Sequence, residues 1–103
     1  MVRRKKTRAI VVFARVWNGN RYGAECTATV YVNGERVATL EPERGSDDYA
    51  RQRAQEWLFE HDYLPGMKRN QFGGLEPLWQ WRARNPGVTA VFESANVERM
   101  KDL

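Results

Sequence analysis

The chain has 103 residues, 17 Lys and Arg against 13 Asp and Glu, a net charge of +4, and 42% hydrophobic side chains. That length accommodates one domain with one modest core, and no apolar run approaches the ~18 residues that a membrane span needs. The single cysteine, Cys26, excludes an internal disulfide and, with no signal-peptide pattern ahead of it, predicts a cytoplasmic protein.

The charge is unevenly spread. Residues 1–8 (MVRRKKTR) hold five basic side chains and no acid, leaving 12 basic and 13 acidic residues for the other 95. The excess belongs to an arm, and the expected organisation is a basic arm over 1–8 followed by a single α+β domain over 9–103.

Residues 9–17 are rich in β-branched and aromatic side chains and run into Asn18-Gly19, a dipeptide suited to a tight hairpin. Residues 22–32 form a second strand, Asn33-Gly34 a second turn, and residues 35–40 a third strand. The expected fold is therefore an antiparallel β-meander followed by a helix (β-β-β-α). Alternation places Ala24, Cys26, Ala28, Val30, Val32 and Val37 on one face. A turn of even length at Asn18-Gly19 adds Val11, Phe13 and Trp17 to that face. Ile10, Val12, Val16, Thr27, Thr29, Tyr31 and Leu40 then fall on the other, which is apolar enough to need a cover.

Ser46 is placed to cap a helix whose first turn carries Asp47 and Asp48. Ala50, Ala54, Trp57, Leu58 and His61 recur at helical spacing, and Leu64-Pro65-Gly66 ends the segment. Residues 65–77 read as a long loop, a length that is often functional. Residues 78–84 (LWQWRAR) fit either a strand or a short helix opened by Pro77. Residues 88–93 form a fourth strand, and residues 95–102 a short C-terminal helix.

Catalytic and metal signatures are missing. The one histidine, His61, has no second histidine beside it, and Cys26 is far away in the chain, so zinc coordination and cysteine–histidine chemistry both lack partners. Gly66-Met67-Lys68-Arg69 and Gly73-Gly74 do not match a phosphate-binding loop. The expectation is a non-enzyme with no metal and no cofactor. Twelve aromatic residues exceed what such a core requires, which points to exposed anchors at Tyr31, Phe72, Trp79 and Trp81. Arg3, Arg4, Lys5, Lys6 and Arg8 of the arm, with Lys68, Arg69, Arg82 and Arg84, are the candidates for phosphate contact.

Strand, Asn-Gly, strand, Val32-Asn33-Gly34, strand, then a helix bearing Trp57 and closing in Leu64-Pro65-Gly66 resembles the small sheet-plus-helix type I-F anti-CRISPR proteins of phages, over residues 10–66. The resemblance implies a non-enzymatic accessory protein that binds a host defence complex in the host cytoplasm and blocks target-DNA pairing. The alternative is a small nucleic-acid-binding protein that uses the basic arm. A third reading is a homodimer formed through an uncovered apolar sheet face or an edge strand.

Overall fold

The computed structural model describes residues 6–20 and 23–103. The protein is an α+β domain with a mixed five-stranded sheet and two α-helices. The strands are β1 (Ala9–Asn20), β2 (Gly23–Val32), β3 (Glu35–Thr39), β4 (Glu43–Arg44) and β5 (Thr89–Val97). Helix α1 spans Asp47–Glu60 and α2 spans Leu78–Arg84. Among the described residues, no helix is long and apolar enough to cross a membrane.

The strand order is β3-β2-β1-β5, with β4 pairing to β2 beside β3. β1 pairs antiparallel with β2, and β2 with β3. The expectation of an all-antiparallel sheet is corrected at β5, which runs parallel to β1 from Ala9↔Thr89 to Trp17↔Val97. The fourth strand is also longer than residues 88–93, because it continues to Val97, into the segment expected to be helical. Only a single 3-10 turn, Met100–Asp102, follows it.

The faces of β1 are the reverse of those expected. Asn18 and Gly19 lie inside the strand, and the paired residues run on to Asn20↔Gly23. Between Trp17↔Glu25 and Asn20↔Gly23, β1 carries one residue more than β2. Because side chains alternate with a period of two, this bulge inverts the phase of everything before it. Ile10, Val12, Ala14 and Val16 therefore share the core face with Val32, Val30, Ala28 and Cys26. Val11, Phe13, Arg15 and Trp17 share the second face with Glu25, Thr27, Thr29 and Tyr31. A side chain at Gly19 would approach the Trp17 indole to 2.7 Å, so the glycine serves ring packing rather than a turn.

The second Asn-Gly pair does make its turn, with Asn33 at φ 53 and Gly34 at φ 85. The Asn33 side chain also ties down the start of the described chain. Its Oδ1 accepts the N–H groups of Arg8 (2.8 Å) and Ala9 (3.1 Å), and its Nδ2 donates to the Lys6 carbonyl (3.0 Å).

Helix α1 buries Ala50, Ala54 and Leu58 against the core face. Ser46 adopts the extended backbone of an N-cap, although its side chain makes no capping bond. Cys26 sits under the first turn beside Ala50 and Arg53, and burial pushes its thiol pKa up more strongly than the Arg53 charge pulls it down. Helix α2 adds Trp81 to the same core, together with Leu64, Met67 and Val88. Both helices thus cover one face. No helix covers the second face among the described residues, and Val11 and Val91 stand 36% and 42% exposed on it.

Candidate functional site

The chain between the two helices builds a small, closely tied hairpin. At the end of α1, the His61 ring stacks on Trp57 at 4.0 Å, with its Nδ1 2.8 Å from the Trp57 carbonyl. Asp62 (φ 64) and Gly66 (φ 79) turn the backbone, dropping Leu64 and Met67 into the core. Arg69 and Leu75 then form an antiparallel bridge, and the Glu76 N–H donates to the Lys68 carbonyl at 2.9 Å. Asn70 closes the tip. Its N–H donates to Gly74 O (2.7 Å), its carbonyl accepts from Gly73 N–H (3.0 Å), and its Oδ1 accepts from Phe72 N–H (2.9 Å) and Gly74 N–H (3.0 Å).

Arg69 fastens this hairpin to α1. Its guanidinium donates to both carboxylate oxygens of Glu56, at 3.1 and 3.0 Å, and also to the Gly73 carbonyl. It lies 5.0 Å over the Phe59 ring. The hydrogen bond to Glu56 raises the Arg69 pKa above its ordinary value. The fork geometry suits arginine and would not be reproduced by lysine.

Phe72 projects from the tip of this hairpin at 87% exposure, and Trp79 stands 69% exposed on the first turn of α2. Between α1 and residues 74–79 runs an open cleft of about 870 Å³, with Arg51, Gln52 and Gln55 on the helix side and Leu75 and Trp79 on the other. Gln55 Nε2 donates to the Glu76 carbonyl at 2.7 Å, linking the two walls. The Glu76 carboxylate is buried, with Oε1 accepting from Arg84 and Oε2 without a hydrogen-bond partner. Arg84 donates further to Gly66 O at 3.3 Å.

The predicted anchors are thus divided. Trp79 lines the cleft, and Phe72 is exposed at the tip of the hairpin that leads into it at Gly74. Tyr31 lies half-buried on the second face of the sheet, away from both. Trp81 is corrected from an anchor to a core residue, 1% exposed, with its Nε1–H donating to Pro65 O at 2.9 Å.

The predicted basic residues are also divided. Arg3, Arg4 and Lys5 lie outside the described residues. Lys6 and Arg8 lie at the end of the sheet where β5 begins, because Thr89 N–H donates to Arg8 O and Arg82 Nε donates to Val88 O. Arg84 is neutralised by Glu76 and donates to Gly66 O, and Arg69 is committed to Glu56. Lys68 is exposed on the hairpin.

Cys26 and His61 mark opposite ends of α1, and the described residues contain no cluster of three His, Cys, Asp or Glu able to hold a metal. Gln55 and Glu76 were not singled out by sequence; nothing local marks a loop glutamate as one that folds inward. In comparisons with known proteins, no family model, no curated protein and no solved structure matches the chain.

Proposed function

We infer that the chain is a non-enzymatic binding protein that docks on a protein complex through Phe72 and Trp79. The observation that carries this reading is the Phe72 hairpin. An almost fully exposed phenyl ring gains nothing for the monomer, yet its loop is held by four Asn70 hydrogen bonds and a bidentate Arg69–Glu56 pair. A preorganised aromatic loses little conformational freedom on binding, which is what an interface anchor requires. In its specific form, supported by the resemblance over residues 10–66, the protein is a phage accessory protein acting in the host cytoplasm, and its partner is a CRISPR defence complex.

The test uses a purified type I-F CRISPR complex and its target DNA. The intact chain is expected to suppress target binding, and Phe72→Ala or Trp79→Ala to weaken that suppression by about 2 kcal/mol each, roughly thirtyfold. Both positions are exposed, so thermal unfolding should stay within about 0.5 kcal/mol of the parent. Undiminished suppression by the double variant would remove Phe72 and Trp79 from the reading. No effect of the parent chain would remove the CRISPR complex as partner.

One arrangement favours the second reading, nucleic-acid contact. Lys6, Arg8 and Arg82 lie at the same end of the sheet, where Arg8 O meets Thr89 N–H and Arg82 holds Val88 O. Binding to duplex DNA should then fall steeply with salt and disappear in a variant lacking residues 1–5. A binding constant flat between low and moderate salt would dismiss this reading.

A further inference from the structure

The two edges of the sheet are treated differently by the sequence. On one side, β3 and β4 form an interrupted edge, broken at Pro42 and lined by Glu35, Arg36, Glu41, Glu43 and Arg44. Short strands, proline and charge are the usual means of preventing edge-to-edge pairing. On the other side, β5 offers nine residues, Thr89–Val97, with no proline, no basic residue and one charge, Glu93. No described strand pairs with its outer side. Thr89 N–H bonds inward to Arg8 O, so by alternation Ala90, Phe92, Ser94 and Asn96 turn their backbone groups outward.

We propose that β5 pairs antiparallel with β5 of a second copy of this chain about a two-fold axis at Ser94. A two-fold perpendicular to the sheet keeps core face with core face, so only registers centred on a residue are open. An axis at Glu93 would set two carboxylates directly opposite, and an axis at Phe92 would set Glu93 against Val91. With Ser94 on the axis, Val91 faces the other copy's Val97 and Glu93 faces its Ala95.

Behind Ala95 stands Arg15, its paired neighbour on β1. Two strand spacings separate the Cα atoms of Glu93 and that Arg15 by about 10 Å, and the alanine methyl leaves the path between them open. The long side chains span this distance. Among the described residues, Arg15 Nε has no hydrogen-bond partner, and neither Arg15 nor Glu93 makes an ion pair. Two symmetric Arg15–Glu93 pairs across the axis give each charge a counter-charge, the carboxylate meeting the outer end of the guanidinium. The join also continues the second face, with Val11 and Phe13 of each copy, into one wider surface.

Sedimentation velocity over a wide concentration range tests this with the full chain. The expected result is a species of twice the 12.0 kDa chain mass. Ser94→Pro removes an outward N–H at an edge position where proline is tolerated and, besides it, an exposed hydroxyl bond to Asp47 of 3.5 Å that Ser94→Ala also removes, so the proline variant should keep the thermal transition of Ser94→Ala and sediment as monomer. Glu93→Arg should weaken association roughly tenfold or more by opposing the partner's Arg15, and adding Arg15→Glu should restore it. A parent chain that stays monomeric, or whose edge accepts only an unrelated extended peptide, would overturn the proposal. A dimer untouched by Ser94→Pro, or an exchange of charges that fails to restore association, would overturn the edge or the register respectively.

Discussion

Trp81→Ala is expected to destabilise the domain by about 3–5 kcal/mol, a large part of the stability of a protein this size. The indole is 1% exposed and shares the core with Leu64, Met67 and Val88. Its Nε1–H also holds Pro65 O at 2.9 Å, which joins α2 to the segment leaving α1. Alanine would leave a cavity of nearly indole size and release the Pro65 carbonyl from its bond. Trp81→Phe retains most of the apolar volume and loses only the hydrogen bond, so its cost should be nearer 1–2 kcal/mol. Trp79→Ala, two residues away on the same short helix, provides the control at about 0.5 kcal/mol or less. Equilibrium urea unfolding of the three variants orders them, and a mild Trp81→Ala would contradict the core assignment.

Ala54→Leu is expected to cost about 3 kcal/mol for the opposite reason. Ala50 and Ala54 of α1 are fully buried, as are Ala14 and Ala28, which face each other across β1 and β2. Four methyl groups at the interface let the helix axis lie close to the sheet, and a leucine there must lift the helix or leave its rotamer. Leucine is nearly as good a helix former as alanine, so the loss cannot be assigned to propensity. Leu58→Ala, one turn further on, tests the same interface by creating a cavity and should cost about 2–5 kcal/mol. A leucine at 54 accommodated within about 0.5 kcal/mol would show that the gap is wider than these alanines imply.

The two Asn-Gly dipeptides show where the fold was legible and where it was not. Asn33-Gly34 turns the chain where its positive-φ preference says it should, and its two strands follow, but a register shift beyond Tyr31↔Arg36 pairs Val30 with Ala38, so that Leu40 packs against the core instead of the second face. Of the α1 stripe, Ala50, Ala54 and Leu58 are buried and Trp57 partly so, while His61 is exposed. Asn18-Gly19 has the same local chemistry, yet its strand continues to Asn20, and the register it adopts sets Ile10, Val12, Ala14 and Val16 opposite Val32, Val30, Ala28 and Cys26 on the core face. One extra residue at the bulge then exchanged the whole apolar set of β1 between faces. Residues 88–93 were visible as a strand by composition, but the partner and direction of a strand are set by distant chain. At residues 78–84 the helix places Trp79 and Trp81 about 200° apart, one in solvent and one in the core, where a strand would have aligned them. Exposure of Phe72 was foreseeable from its loop context. The Arg69–Glu56 clasp was not, since arginine in a loop carries no local sign of its partner.

The parallel alignment of β1 with β5 also bears on how the domain forms. β1 gains one neighbour through a short hairpin, but the other only when Thr89–Val97 is in place, nearly the full sequence away. Until then its far flank is a row of unmet backbone groups beside the exposed aliphatic residues of an incomplete core. Closure of so long a loop is entropically late, and topologies of this kind fold slowly for their size. A chain halted before β5 would carry a well-started hairpin and helix but a central strand with one open side. Such an intermediate is the species most exposed to aggregation, and completion of the last strand is the step that removes the hazard.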